Sequence, residues 1–273
     1  MMPEPDAQTT PPPAPETIIR VRGLVTRFDT HTVHDGLDLD VRRGEIIGVV
    51  GGSGTGKSVL LRAIVGLLNP AEGQIEVLGQ SVRDTSDDDY RRLRRRWGVM
   101  FQDGALFSSL TVRQNVEAPM REQLHLDDAL RETLAGIKVR MVGLPENAQV
   151  KYPSELSGGM RKRAGFARSI ALDPEIVFLD EPTAGLDPIG AAAFDTLIKQ
   201  LQAALGLTVF LVTHDLDSLH AICDRVAVLA DKRVLAVGTM RDMLDVDHPW
   251  VKEYFHGPRA RAATASARPD GRA

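Results

Sequence analysis

Short apolar runs alternate with longer segments of helical periodicity through the middle of the chain. Three of the runs are apolar almost throughout, as expected of strands that are buried on both faces of a parallel sheet. They are residues 46–50 (IIGVV), 175–180 (EIVFLD) and 208–214 (TVFLVTH). Because a helical pattern follows each run, the sequence predicts an α/β domain with a mainly parallel sheet.

Two further parts of this domain are predicted from the remaining pattern. An alternation of apolar and polar positions favours a separate antiparallel β layer formed by residues 18–25, 33–41, 74–77 and 226–237. Helical periodicity without strand-like runs extends from Thr111 to Ile170. It predicts an α-helical subdomain at about residues 103–170.

Both ends of the chain have a composition that differs from the middle. Residues 1–17 are rich in proline and polar groups, and residues 257–273 are rich in alanine, arginine and glycine. Neither segment has enough apolar residues to order itself, so we expect two flexible tails around one domain at 18–256. The C-terminal tail is basic, which fits a solvated tail or contact with anionic lipid headgroups.

The composition of the 273 residues is that of an ordinary globular protein, and the formal net charge of −4 argues against a general nucleic-acid binder. No apolar run approaches the roughly 20 residues of a membrane-spanning helix, and the N-terminus has no signal-peptide pattern. We therefore expect a cytoplasmic protein. The lone Cys223 fits a reducing compartment, either as a buried thiol or as a nucleophile.

A glycine-rich segment, GGSGTGKS, matches the pattern G-x-x-x-x-G-K-[ST] and lies between a buried strand and a helix. In such a loop the backbone N–H groups surround phosphate oxygens, Lys57 adds a positive charge, and Ser58 binds magnesium. A chance match would lack the flanking strand and helix. The segment therefore predicts a nucleotide-binding P-loop made of Gly51, Gly52, Ser53, Gly54, Thr55, Gly56, Lys57, Ser58 and Val59.

Acidic and basic side chains follow two of the buried runs. Asp180 ends one run, where a carboxylate would hold magnesium, and Glu181 comes next, where it would orient or deprotonate a water molecule. A solvent-exposed, structural Glu181 is the alternative. His214 ends another run and would donate to a terminal phosphate, or serve only as a structural histidine.

A second anion-binding helix start is encoded by LSGG, which contains Ser157, Gly158 and Gly159. A single nucleotide site needs only one anion-binding helix start, and the phosphate loop already provides it. The ordered set GGSGTGKS, Gln102, LSGGM, FLDE, residues 184–187 (AGLD) and His214 resembles the nucleotide-binding subunit of ABC transporters. The resemblance covers nearly the whole chain except the two tails.

This resemblance implies an ATPase coupled to transmembrane transport, with ATP and Mg²⁺ bound between two copies of the chain. The phosphate loop of one copy and the serine-glycine segment of the other would close on the same ATP. Phe28 would stack on adenine unless it is a core residue, and Asp187 would link the two sites. Met160 stands where the family's commonest form has glutamine. The family pattern assigns catalysis to Lys57, Gln102, Glu181 and His214, and magnesium binding to Ser58, Gln102 and Asp180.

The segment FQDGALFSSLTV, residues 101–112, follows Gln102 with a small and apolar cluster. The resemblance implies that a short helix of a membrane permease docks here. Alternatively, Leu106 and Phe107 pack inside the helical subdomain, or Phe107 is buried while residues 103–105 remain exposed.

A narrower similarity concerns the substrate. This segment and YPSELSGGMRKR are similar to the ATPases of Mla/Mce-type phospholipid trafficking between the two membranes of Gram-negative bacteria. That similarity implies a peripheral protein on the cytoplasmic face of the inner membrane, with a permease, an MCE-type lipid-binding protein and a small cytoplasmic accessory protein as partners, and no nucleic acid. It also implies a role in maintaining outer-membrane lipid asymmetry.

Three other functions stay open at this point. A transporter for another solute would share every motif. A soluble ABC ATPase acting on DNA or ribosomes would carry two nucleotide domains or coiled-coil insertions, and a P-loop kinase or GTPase would lack LSGG. The charged stretch DDDYRRLRRRWG (residues 87–98) fits a solvated helix or a nucleic-acid contact, and WVKEYF (residues 250–255) packs on its own domain or on a neighbour.

Overall fold

The computed structural model describes residues 16–102 and 104–257. The strands are β1 (Thr17–Phe28), β2 (His31–Arg42), β3 (Ile46–Gly51), β4 (Glu72–Val77), β5 (Gln80–Ser81), β6 (Trp97–Met100), β7 (Ile176–Asp180), β8 (Thr208–Val212), β9 (Arg225–Ala230) and β10 (Arg233–Gly238). The α-helices are α1 (Lys57–Ile64), α2 (Asp87–Arg94), α3 (Val112–Gln123), α4 (Asp128–Met141), α5 (Gly158–Ser169), α6 (Pro188–Leu205), α7 (Leu216–Ile222), α8 (Met240–Leu244) and α9 (Pro249–His256).

The larger sheet has the strand order β10-β9-β3-β8-β7-β6. Its strands are parallel except for β10, which pairs antiparallel with β9. Every residue of β3, β7 and β8 is buried, because helices or a second sheet cover both faces. Since parallel strands end at the same edge, the loops after β3, β7 and β8 all begin there.

The smaller sheet is antiparallel, with the order β2-β1-β4-β5. It shares a core with α1 and with one face of the larger sheet, which contributes Ile47 and Phe178. Their neighbours Ile46 and Val177 point to the opposite face and pack in the core of the helical segment. The prediction of an α/β fold with a parallel-rich sheet, an antiparallel layer and helices is confirmed.

One detail of the predicted antiparallel layer is wrong. Residues 226–237 form β9 and β10, which extend the larger sheet and do not join β1, β2 and β4. The reason is that β9 is buried at five of its six positions, from Val226 to Ala230, so it needs cover on both faces. Pairing in parallel with β3 places β9 inside the larger sheet, where one core covers Ala227 and Leu229 and another covers Val226 and Val228.

The helical segment follows β6 and contains α3, α4 and α5. Each helix begins at a side chain that accepts a hydrogen bond from its own first turn: Thr111, Asp127 and Ser157. Apolar faces of the three helices meet in one core around Val116, Val139 and Phe166. The predicted periodicity between residues 111 and 170 therefore corresponds to helices that pack on one another.

The predicted tails lie almost entirely outside the described residues. At the first boundary, β1 already begins at Thr17, and Glu16 pairs with Arg43 at 2.7 Å. At the second, α9 ends at His256. Within residues 16–102 and 104–257, none of the helices combines the length and apolar character that crossing a membrane requires.

Candidate nucleotide site

The glycine-rich loop connects β3 to α1 and has little room for side chains. Gly56, directly before α1, has φ +96°, and a Cβ added there would lie 2.4 Å from Nε2 of His34. A Cβ on Gly51 would lie 2.4 Å from the carbonyl oxygen of Leu229. The positive φ and these close approaches require glycine. They keep the backbone N–H groups at the start of α1 free to face an anion.

His34 lies beneath this loop and was not predicted as part of the site. Its side chain is fully buried, with Nδ1 2.9 Å from the hydroxyl oxygen of Thr26. Burial lowers the pKa of His34 to about 4. The imidazole is therefore neutral at pH 7 and packs against Gly56 without adding charge.

The amine of Lys57 folds back over the loop. Its Nζ donates hydrogen bonds to the carbonyl oxygens of Gly51 and Gly52, each at 2.9 Å. Burial lowers the pKa of Lys57, while the nearby charges of Glu181 and Asp180 act in the opposite direction. The lysine charge thus lies between the loop and the two carboxylates.

Ser58 and Asp180 supply oxygen atoms at one point. The Ser58 hydroxyl donates to Oδ1 of Asp180 at 3.0 Å. Asp180 is only 6% exposed, and burial raises its pKa while the Ser58 hydrogen bond opposes this. One hydroxyl and one carboxylate suit Mg²⁺, which completes its shell with phosphate oxygens and water. Among the described residues, no group of three or more His, Cys, Asp or Glu side chains offers an all-protein metal site.

Glu181 follows β7 in an unusual backbone conformation. Its φ is +50°, a region that non-glycine residues seldom adopt. The N–H of Glu181 donates to the carbonyl of Val212 at 2.8 Å, and the carboxylate Oε2 lies 2.8 Å from Nδ1 of His214. The Glu181 side chain is 16% exposed, whereas that of His214 is 71% exposed. The turn therefore aims the carboxylate inward, so a solvent-exposed Glu181 is not what the structure has.

Lys162 is a residue near the site that the sequence analysis missed. It lies on α5, is 7% exposed, and donates from Nζ to the carbonyl oxygens of Gln102 and Glu181, the latter at 3.1 Å. The Gln102 side chain itself is exposed. A lysine on the buried face of an amphipathic helix is the signal that would have identified it.

The serine-glycine segment opens α5, as predicted. The Ser157 hydroxyl accepts a hydrogen bond from the N–H of Met160 at 3.3 Å and so caps the helix. A Cβ added at Gly158 or Gly159 would lie about 4 Å from the side chain of Leu186. The start of α5 therefore lies against the loop that carries Asp187.

Asp187 and Phe28 lie at the ends of two other elements. Asp187 caps α6 by accepting from the N–H of Gly190 at 2.9 Å. Phe28 ends β1 and is 46% exposed, so it is not a core residue. Its ring is accessible for stacking on a base.

Two glycine contacts hold α5 against the strand and loop that carry Gln102. A Cβ on Gly98 would lie 1.7 Å from the carbonyl oxygen of Ser169, and one on Gly165 would lie 2.8 Å from the Cα of Gly104. Arg168 adds a hydrogen bond to the carbonyl of Gly104 at 3.2 Å. Backbone therefore contacts backbone at both ends of this interface.

In the segment after Gln102, the alternative in which Phe107 is buried is wrong. Phe107 is 55% exposed, and Gly104 is buried against α5, whereas residue 103 lies outside the described residues. The Asn115 side chain accepts a hydrogen bond from the N–H of Phe107 at 2.7 Å and donates one to its carbonyl oxygen at 3.1 Å. These two bonds fix the backbone of Phe107 in a position from which the ring points outward. Among the described residues 104–107, Leu106 is the one that packs partly against the helical core.

Two more exposed apolar side chains lie on a segment that is hydrogen-bonded to the start of α3. The N–H of Val112 donates to the carbonyl of Lys151 at 2.9 Å, so the start of α3 lies beside residues 149–152. On that second segment, Val150 is 65% exposed and Tyr152 is 45% exposed. Phe107, Val150 and Tyr152 are called the apolar docking surface below.

The two remaining sequence features have structural explanations. Helix α2 places Asp88 and Asp89 in its first turn, where they pair with Arg91 and Arg92 at 3.4 and 3.7 Å. It is a solvated helix with internal ion pairs. The aromatic cluster near the C-terminus lies on α9, which buries Phe255 against its own domain.

Comparisons with known proteins agree with this geometry. The family model described as ABC transporter matches residues 34–184, which is more than half of the chain. Over 242 residues, the chain is 38% identical to the intermembrane phospholipid transport system ATP-binding protein MlaF of Haemophilus influenzae, covering 89% of this chain and 91% of that protein.

Two further matches are a relative whose name gives a different substrate and a protein of solved structure. The chain is 36% identical over 241 residues to the probable ribonucleotide transport ATP-binding protein mkl of Mycobacterium leprae, covering 88% of this chain and 69% of that protein. A dimeric ATP-binding cassette in a post-hydrolysis state, bound to ADP and phosphate, superposes with a TM-score of 0.75 at 28% identity, covering 81% of this chain and 98% of that one. This chain belongs to the ABC transporter family, and it is an ATPase of that family.

Proposed function

We propose that this ATPase drives phospholipid movement between the inner and outer membranes as the ATP-hydrolysing subunit of an Mla/Mce-type transporter. The observation that carries the proposal is the 38% identity to MlaF of Haemophilus influenzae, which extends over nearly all of both chains. The apolar docking surface supports it, because a transport ATPase must bind a membrane partner.

Each predicted catalytic residue is assigned a role in hydrolysis. Lys57 and the loop N–H groups neutralise the β- and γ-phosphates, and Phe28 stacks on adenine. Glu181 accepts a proton from the attacking water, and His214, whose Nδ1 lies 2.8 Å from the Glu181 carboxylate, donates to the γ-phosphate. Gln102 reports the bound nucleotide to the helical segment.

Ser58 and Asp180 would hold magnesium in this proposal, with Gln102 as a further ligand. The ion would neutralise charge on the phosphates during transfer. Asp180 is buried between Lys57 and Ser58, and the Ser58 hydroxyl already points at its carboxylate. The hydroxyl and carboxylate oxygen atoms lie 3.0 Å apart, which is close enough for one ion to bind both.

Two copies of the chain would form the working unit. The start of α5, with Ser157 and Gly158 exposed, would complete the ATP site of a second copy. Ile189 at the start of α6 is 84% exposed beside Asp187, and a partner would bury it. The similarity to a solved dimeric cassette supports this arrangement. ATP would favour the closed pair because only that state contacts the γ-phosphate from both sides.

The apolar docking surface would bind a short helix of an integral membrane permease at the cytoplasmic face of the inner membrane. Phe107 lies only five residues after Gln102, so nucleotide-dependent movement of that loop would reach the permease. An MCE-type lipid-binding protein and a small cytoplasmic accessory protein would complete the complex.

A second candidate is the ATPase of a transporter for another solute. The similarity to mkl, at 36% identity, favours it, because that protein carries a ribonucleotide transport name. The ATPase chemistry would be identical in both cases, since the substrate never reaches the nucleotide site.

The test is to tag this chain, extract its complex from membranes in mild detergent and identify co-purifying proteins and lipids by mass spectrometry. An untagged strain treated in the same way is the control. We expect a polytopic permease, an MCE-type protein and phospholipid above the control level. A solute permease without an MCE-type protein would replace the lipid proposal with the second candidate, and the absence of any membrane protein would reject both.

A further inference from the structure

Helix α9 packs beside the nucleotide site although it lies 65 residues beyond the end of the matched family segment. Val251 and Phe255 anchor it in a core that also contains Val50, the residue before the phosphate loop begins, and Leu219 of α7. One face of α9 is thus fixed to the strand that leads into the loop and to the helix that follows His214. The same helix presents Trp250 and Tyr254 towards the site.

Tyr254 contacts the residue proposed to donate to the γ-phosphate. Its hydroxyl donates a hydrogen bond to the main-chain carbonyl of His214 at 2.9 Å. That carbonyl belongs to the turn between β8 and α7, so the bond fixes the backbone from which the imidazole projects. Burial raises the pKa of Tyr254, and the charges of Asp215 and Glu181 raise it further, which keeps the hydroxyl protonated as a donor.

Trp250 contacts the phosphate loop from the same helix. A Cβ added at Gly52 would lie 3.4 Å from Nε1 of Trp250, so the indole packs against the loop backbone. The rings of Trp250 and Tyr254 stack with centroids 4.7 Å apart and an angle of 15° between their planes. The two aromatics therefore form one rigid unit between Gly52 and His214.

We propose that Tyr254 is a positioning residue for His214, held in place by Trp250 and α9, so that the imidazole stays beside the Glu181 carboxylate during ATP hydrolysis. The inference rests on the proposed role of His214. The turn after β8 is also held by the N–H of Asp215, which donates to the Thr213 hydroxyl at 3.1 Å, but the His214 side chain is 71% exposed. The Tyr254 bond restricts that turn, and the restriction favours the geometry in which Nδ1 lies 2.8 Å from Glu181.

The test is a double-mutant cycle between Tyr254→Phe and His214→Ala, measured as steady-state ATP hydrolysis by the full chain. The phenylalanine variant keeps the ring and its stacking but loses the hydroxyl. We expect Tyr254→Phe alone to lower kcat by about three- to tenfold with little change in KM, as one lost hydrogen bond predicts. In the His214→Ala background, we expect no further loss.

Tyr90→Phe is the matched control, because the Tyr90 hydroxyl also donates to a main-chain carbonyl, that of Val65, at 3.1 Å. It should leave kcat unchanged. Thermal melting of all variants separates loss of fold from loss of positioning. A second arm is Trp250→Phe, which keeps an aromatic ring against Tyr254 and should retain more activity than Trp250→Ala.

Each remaining outcome rejects a different statement. If Tyr254→Phe lowers kcat equally in both backgrounds, or not at all, the positioning inference is wrong while the proposed function stands. If His214→Ala itself leaves turnover unchanged, the proposed role of His214 fails, and the inference fails with it. An equal loss of kcat in Tyr90→Phe would assign the effect to general stability.

Discussion

Nδ1 of His214 lies 2.8 Å from Oε2 of Glu181, and the two residues follow adjacent parallel strands. The pairing of β7 with β8 sets Asp180 opposite Val212, so the chain after each strand starts from the same edge. The left-handed φ of Glu181 then turns its side chain towards the imidazole. This pair is formed by sheet register and one strained turn, and it does not require proximity in sequence.

Glu181→Gln should stop turnover and leave ATP binding intact. Glutamine has the same shape but cannot accept the proton of the attacking water, so we expect kcat to fall at least about 100-fold. Hydrolysis and nucleotide affinity are measured on the same preparation, together with ATP-dependent dimer formation by light scattering. Glu122→Gln, an exposed residue of α3, is the control. Normal hydrolysis by Glu181→Gln would show that another group handles the water.

Lys57→Ala should weaken ATP binding by at least about 30-fold, because a phosphate would lose a half-buried charged partner. Titration with a fluorescent ATP analogue measures this. Lys199→Ala offers a matched comparison, since Lys199 also donates to a main-chain carbonyl, that of Ala221, but on the exposed face of α6. Equal affinities for the two variants would contradict the assignment of the phosphate loop.

Lys162→Met should lower turnover more than it lowers nucleotide affinity. Methionine fills similar space but leaves the carbonyl groups of Gln102 and Glu181 without this donor, a cost of about 1–3 kcal/mol for a buried acceptor. The expected result is a lower melting temperature and about a tenfold lower kcat. Lys162→Arg keeps the charge and should recover part of both. A methionine variant with full activity would reduce Lys162 to a packing residue.

Phe107→Glu should abolish transport while the isolated chain hydrolyses ATP at the normal rate. The substitution places a charge on the apolar docking surface, where a partner would have to bury it. Leu130→Glu introduces the same charge at a similarly exposed site on α4, where Leu130 is 44% exposed, and should have no effect. Co-purification of the permease is measured for both. Retention of the permease by Phe107→Glu would place docking elsewhere.

Asp195 should make stability depend on pH. It lies buried on α6, where Ser218 of α7 donates to it at 2.7 Å, and burial raises its pKa from 3.8 to about 6. Between these values the folded state keeps the proton and the unfolded state loses it, so the free energy of unfolding falls as pH rises from about 4 to 6. Asp195→Asn should remove this fall, worth up to about 3 kcal/mol, in urea titrations at several pH values. Parallel curves for the two proteins would show that the pKa of Asp195 is the same in the folded and unfolded states.

The fold and the phosphate loop follow from local sequence signals. Buried strands read as unbroken apolar runs, and glycine at positions 51 and 56 is required by close backbone approach. The roles of Glu181, His214 and the residues of LSGG stay predictions, because the position of a residue in a motif does not show which chemical step it carries out.

Features that depend on distant contacts were beyond sequence reasoning. The exposure of Phe107 is set by Asn115, eight residues further along, and the attachment of β9 depends on β3. Tyr254 reaches His214 across 40 residues, and Lys162 reaches Gln102 across 60. The sequence shows that an aromatic cluster and a helical lysine are present, but it does not show which distant carbonyl groups they contact.

The glycine contacts between α5 and the Gln102 loop have a mechanical consequence. Backbone atoms occupy the space that a Cβ of Gly98 or Gly165 would need, so no side chains separate α5 from this strand and loop at these two points. The close-packed contact resists sliding of the helix. We expect a displacement of the Gln102 loop to move α5 with it, as a lever whose far end is Ser157. A small shift of the Gln102 loop would then become a larger movement of Ser157 at the start of α5. A single methyl group at position 98 or 165 would push α5 away from the loop and weaken this coupling.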